Sequence, residues 1–143
     1  MNFEVHSRLL KSSIEITKRA GCRILLKDNC LFPWFIIVPE VADGVEDLHQ
    51  LSDEQFTAVM NLVREVSRFV ESYFKPEKLN VACIGNQVRQ MHLHVVGRSP
   101  DDPAWPEVVW SCSEKESYPE QRRQEITAAL REWFPQESRS AEA

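Results

Sequence analysis

Between Ser52 and Lys75, apolar residues recur at three- and four-residue steps: Phe56, Val59, Met60, Val63, Val66, Phe69, Val70 and Tyr73. That spacing places them along one stripe of a single α-helix. Ser52-Asp53-Glu54-Gln55 has the form of a capping box, in which the Ser52 and Gln55 side chains satisfy free backbone N–H groups reciprocally. Pro76 disfavours helical backbone in the residue before it, so the helix is expected to stop at Phe74 or Lys75.

Four strand-like segments surround this helix. Cys22–Lys27 and Trp34–Val38 are short apolar runs separated by Asp28-Asn29 and Pro33, a hairpin pattern. Leu79–Ile84 and Met91–Val96 follow the helix, with Gly85-Asn86 opening the turn between them. The order strand, strand, long helix, strand, strand predicts an antiparallel sheet with the helix packed across one face, an α+β domain. Ser99-Pro100-Asp101-Asp102-Pro103-Ala104-Trp105-Pro106 is too rich in proline for regular structure. Pro119 is placed to open a short C-terminal helix at its first position. Ile126, Ala129, Leu130, Trp133 and Phe134 would form that helix's apolar face, and Pro135 its stop. Residues 136–143 read as a frayed tail.

The chain has 143 residues, 43% of them hydrophobic and 27% charged. One domain over 1–143 is therefore expected, with its core at 20–110 and enough apolar mass to fold without staples. Lys and Arg number 17 against 22 Asp and Glu, a formal net charge of -5. A broad basic surface for a nucleic-acid duplex is excluded on that balance, whereas a small anion needs only a local cluster of donors. No apolar run approaches the roughly 20 residues of a membrane-spanning helix, and Met1 to Leu10 has no apolar signal region. Cys22, Cys30, Cys83 and Cys112 form no CxxC pair. Free, partly buried thiols suit a cytoplasmic protein.

The segment Gln90-Met91-His92-Leu93-His94-Val95-Val96 breaks the pattern of an ordinary core strand. Alternate side chains of a strand point to opposite faces. Met91, Leu93 and Val95 then face the helix, while Gln90, His92 and His94 share the other side. Three readings fit these residues: a solvated polar face, two ligands of a metal completed by Asp28 or a cysteine, or imidazoles poised for chemistry.

This heptapeptide resembles the signature of the histidine triad (HIT) family, His-φ-His-φ-His-φ-φ with φ apolar. The likeness extends to the Asp28-Asn29 hairpin, the Phe32-Pro33-Trp34-Phe35-Ile36-Ile37-Val38-Pro39 strand, the long helix and the Gly85-Asn86 turn. Gly85-Asn86-Gln87-Val88-Arg89-Gln90-Met91-His92-Leu93-His94, followed by Asp102-Pro103-Ala104-Trp105-Pro106, is most similar to a bacterial branch described as diadenosine-tetraphosphate-hydrolase-like.

The resemblance implies a HIT-like α+β fold and a nucleotide hydrolase or transferase. His92 matches the residue that attacks the α-phosphorus, giving a nucleotidyl-imidazole that water hydrolyses to a nucleoside monophosphate. His94 matches the third triad position, a donor to a phosphate oxygen or the leaving group. Gln90 stands where the first histidine would be, and can bind a phosphate oxygen but cannot act as acid or base. Trp34 stands near the point where many relatives carry another histidine. Asp28 matches a ribose-binding acid, and Asn86 and Gln87 match phosphate-binding positions. The implied partners are a small-molecule nucleotide and a second copy in a homodimer. The implied cofactor is none; a divalent cation on the substrate phosphates is compatible. The alternative functions are a nucleotide-binding or partner-binding protein with little turnover and, behind it, a small metalloprotein. Leu26 and Phe32 read as core, His6 and His49 as surface or capping residues, and Arg89 and Arg98 as solvated strand-end cations. Trp105 and Trp110 would either build a dimer or roof the pocket.

Overall fold

The structure, a computed structural model, describes residues 2–135. The expected frayed tail, 136–143, lies outside the described residues. Four of the strands follow the pattern: β2 (Cys22–Lys27), β3 (Trp34–Pro39), β4 (Lys78–Cys83) and β5 (Leu93–Arg98). The fifth, β1 (Ser13–Arg19), was not expected. It pairs with β2 through a two-residue turn in which Ala20 and Gly21 both have positive φ, 52° and 71°. Those are the angles a tight hairpin needs to match the twist of its strands. Alternation in β1 is hidden by a bulge, because the register shifts between Glu15 and Thr17 and leaves Ile16 as the extra residue. The Ile16 carbonyl instead accepts from Arg131 Nε and Nη2 at 3.0 and 2.9 Å.

The sheet order is β1-β2-β3-β5-β4, with every neighbouring pair antiparallel. The long helix α2 (Asp53–Phe74) crosses one face. Its capping box forms as the sequence predicts: Gln55 N–H donates to Ser52 Oγ, and Ser52 N–H to Gln55 Oε1. It ends at Lys75, which takes the left-handed conformation. Val59, Leu62, Val63, Val66, Phe69 and Val70 are buried. Phe56, assigned to that stripe from spacing alone, is 44% exposed. It and Met60 fall at the margin of the buried arc, and Leu62 falls inside it.

Met91, Leu93 and Val95 pack with α2 on this face, as alternation requires. The C-terminal helix α3 (Glu120–Trp133), capped by Pro119, adds Ile126 and Leu130 to the same core.

The opposite face carries a second apolar cluster, including Leu25, Trp34, Ile36 and Val96. It is covered by an N-terminal segment containing the short α1 (Ser7–Lys11) and by the proline-rich stretch. Arg98 anchors that stretch and is only 2% exposed, so it is not the solvated strand-end residue expected of it. Its guanidinium grips Asp102 with Nε–Oδ2 and Nη2–Oδ1 distances of 2.8 and 3.1 Å, and also donates to Asn80 Oδ1 and the Glu107 carbonyl. Asp102 in turn accepts backbone N–H bonds from Ser99, Ala104 and Trp105. Burial favours its neutral form, yet Arg98 and these N–H groups hold the carboxyl down at about 2.

Candidate active site

β5 begins at Leu93, so His92 enters from the end of the preceding turn and His94 from the strand itself. The two-residue alternation still keeps both rings on the face away from α2, with centroids 5.0 Å apart. Each histidine is 6% exposed. The turn before them is tight at Gly85, where an added Cβ would lie 3.0 Å from the Val88 carbonyl oxygen.

Hydrogen bonding sets the two imidazoles in unlike tautomers. His92 Nδ1 lies 2.7 Å from the Gln90 carbonyl oxygen. A carbonyl only accepts, so Nδ1 carries the proton and Nε2 keeps a free lone pair. Trp34 Nε1–H donates to His94 Nδ1 at 2.9 Å. An indole only donates, so the neutral His94 ring carries its proton on Nε2. One ring offers a nucleophilic nitrogen and the other an N–H donor.

Both rings are kept neutral. Burial lowers the His92 pKa against the pull of the Gln90 carbonyl, and Lys27 and His6 lower it further. Burial, then His92, then Lys27 push His94 down to about 3. The sign of the linkage follows. Unfolded histidines protonate near 6.5, so between there and about 3 the unfolded chain binds more protons than the folded one. Stability is therefore complete above that range and declines as the pH falls through it. Denaturant midpoints measured from about pH 7 to about pH 5, above the range where most carboxylates titrate, are expected to fall. His94→Asn is expected to flatten that decline.

The histidines line an open cavity of about 810 Å³ together with Trp34, Asn86, Gln87 and Trp110. Trp110 settles over the site, its ring 4.9 Å from that of His94 and 5.6 Å from that of Trp34. Of the two uses open to this residue from sequence, a place over the pocket matches this position, while 42% of its surface stays exposed. Arg8, Lys11, Lys27 and Lys115 also line the cavity. Lys27 Nζ donates to Ser12 Oγ at 3.0 Å and sits 5.3 Å from the centre of the Trp34 ring. Burial, and then Lys115, lower its pKa. No spacing rule could have gathered these four cations, because they come from α1, the end of β2 and the segment before α3.

Two sequence candidates lie elsewhere. The Gln90 amide is engaged at both ends by the N-terminal segment: Oε1 accepts from His6 N–H at 2.8 Å and Nε2 donates to the Glu4 carbonyl at 2.9 Å. Its side chain borders a separate depression, and only its backbone carbonyl serves the histidines. Asp28 Oδ1 accepts from Tyr118 N–H at 3.0 Å, which ties β2 to the C-terminal segment, and it does not line the cavity. His6 caps α1 by accepting from Arg8 N–H. Arg89 is exposed and paired with Glu46. Among the described residues, no group of three or more His, Cys, Asp or Glu is placed to hold a metal ion, and no helix is long and apolar enough to cross a membrane.

A five-stranded antiparallel sheet, with one long helix behind it and a cavity lined by a histidine pair in front, defines the α+β class of the protein. The chain belongs to the histidine triad family, since the family model described as HIT domain matches residues 11–101. It is similar in structure to a histidine triad protein from Sinorhizobium meliloti 1021, with 29% identity and a TM-score of 0.88, covering 93% of this chain and 98% of that one. The corresponding values are 30%, 0.88, 92% and 98% for a histidine triad protein from Bradyrhizobium japonicum. For one from Marinobacter aquaeolei VT8 they are 32%, 0.86, 92% and 95%. A search among curated proteins finds no match. The HIT-like α+β fold expected from sequence is the observed one. Arg8 and Lys115, two of the four cavity cations, lie outside the stretch matched by the family model.

Proposed function

We propose that this protein cleaves nucleotides at the α-phosphate through a nucleotidyl-His92 intermediate and releases a nucleoside monophosphate. The observation that carries this reading is the pair of unlike tautomers at the wall of a cationic cavity. His92 Nε2 uses its lone pair to form a P–N bond while the bond from phosphorus to the leaving group breaks, and the leaving group departs with that electron pair. The Nδ1–H bond to the Gln90 carbonyl persists and spreads the positive charge that the ring acquires. Water then attacks phosphorus and loses a proton to the solvent, the P–N bond breaks, and the electron pair returns to Nε2. His94 Nε2–H, Asn86 and Gln87 are the donors for phosphate oxygens. Gln90 acts through its backbone carbonyl, and Asp28 braces the C-terminal segment instead of holding ribose.

The substrate classes are dinucleoside polyphosphates and nucleoside phosphoramidates, and a divalent cation riding on the phosphates is compatible with both. A homodimer joined at sheet edges and long helices accompanies this reading. Val81 on the edge strand β4 is 47% exposed, which together with Phe56 leaves apolar surface where a second copy would sit.

The test is release of AMP from diadenosine tetraphosphate and from an adenosine phosphoramidate, with mass spectrometry of acid-unstable adducts on the quenched protein. An adenylyl group on the peptide containing His92 supports the proposal. AMP binding without release from either compound overturns it and leaves a nucleotide-binding protein. The cationic rim gives a further expected result. Lys27→Ala should raise KM about tenfold for the polyphosphate, the effect of losing one charge-assisted contact. The loss should shrink as salt is added.

A further inference from the structure

Trp34 is the first residue of β3, lies on the same side of the sheet as the histidines and is 5% exposed. Its ring is held edge-on by Phe32 and Trp110, with centroid distances of 6.3 and 5.6 Å, and Lys27 lies over it. The indole N–H therefore points at His94 Nδ1 from a rigid frame. A His94 that accepts there has a single proton, on Nε2. Giving that proton away would leave an imidazolate anion, so the ring can donate a hydrogen bond but cannot supply a proton. Gln90 cannot supply one either, because an amide has no acidic proton and both ends of this one are already engaged.

We infer that Trp34 is a positioning residue that locks His94 as a hydrogen-bond donor without a transferable proton, and so restricts the site to leaving groups that depart as stable anions. The inference rests on the catalytic reading above and narrows its substrate class. When the bond from phosphorus to the leaving group breaks, the leaving group keeps the electron pair. The phosphate end of a nucleoside polyphosphate carries that pair as a weak base, and Arg8, Lys11, Lys27 and Lys115 offset its charge. An amine departing with the pair must be protonated as it leaves, and that help is typically worth a factor of about 100 or more. The groups facing His94 are Trp34 and Lys27 from β3 and β2, His92 beside it, Trp110 above it, and Arg8, Lys11 and Lys115 around the cavity. The titratable ones are cationic or neutral, so none favours a proton on His94.

Long-range proton–nitrogen correlation spectra of the intact wild-type chain test the lock without any variant. His94 Nδ1 should remain unprotonated from about pH 8 to about pH 5, where a free histidine titrates. A protonated Nδ1, or a His94 that titrates in that range, overturns the inference. Trp34→Phe keeps a ring and removes the N–H. In that variant His94 is expected to titrate, and the ratio of kcat/KM for diadenosine tetraphosphate to that for the phosphoramidate should fall at least about tenfold at slightly acid pH. An unchanged ratio beside an altered tautomer overturns the leaving-group restriction. A wild type that turns over neither compound overturns the catalytic reading and the restriction with it. The wild-type spectrum still decides the lock, even if the variant fails to fold.

Discussion

His92→Asn is expected to abolish AMP release, with kcat reduced on the order of 10⁴-fold or more, the scale seen when a covalent nucleophile is removed. The physical ground is specific to one atom. Nδ1 of His92 is committed to the Gln90 carbonyl, so the entire nucleophilic capacity of the site rests in Nε2. Asparagine places an amide nitrogen there whose lone pair is delocalised into its carbonyl. The variant keeps the Asn86 turn, the His94 donor and the four cations, so AMP should still bind and still raise the melting temperature. Two measurements are therefore paired: steady-state release of AMP, and thermal shift with AMP. Lost release with retained shift supports attack by His92. Equal release by both proteins removes His92 from the chemistry.

The second large effect concerns stability. Asp102→Ala is expected to destabilise the fold by about 3–5 kcal/mol, because it leaves the Arg98 guanidinium buried, 5.6 Å from the centre of the Phe32 ring, with its main counter-charge gone. For a chain of this length that corresponds to roughly 10 °C or more in Tm. Arg98→Met, which also removes the charge, leaves a carboxylate still bonded to three backbone N–H groups. Its cost is expected to be smaller than that of Asp102→Ala. Thermal and denaturant unfolding of the two variants check the order. A reversed order would mean that the three N–H bonds do not sustain Asp102 alone. The network also affects the site, since it fixes residues 99–107 and through them the approach of Trp110 to His94.

Local pattern was sufficient for α2 and for β2 to β5, because each depends on short-range rules: capping, helical periodicity, alternation and proline stops. The same alternation paired His92 with His94 and turned both away from the helix. It failed for β1, where the Ile16 bulge interrupts the period, and for Phe56, where the width of the buried arc is set by the sheet beneath it. It also failed for Arg98. A strand-end arginine is solvated by default, and only the folding back of Asp102 and Glu107 makes its burial tolerable.

The sequence by itself thus determined the α+β architecture, the histidine pair and the resemblance to the histidine triad family. Tertiary structure alone decided the chemical state of that pair. The tautomer of an imidazole follows from whichever group meets its other nitrogen, and those groups are a carbonyl two residues back and an indole 60 positions away. It also decided which polar candidates reach the cavity. Gln90 and Asp28 are drawn off by backbone groups of the two chain ends, while Arg8, Lys11, Lys27 and Lys115 are gathered from three distant segments. Such choices arise from packing between residues far apart in the chain, and spacing along a sequence does not encode them.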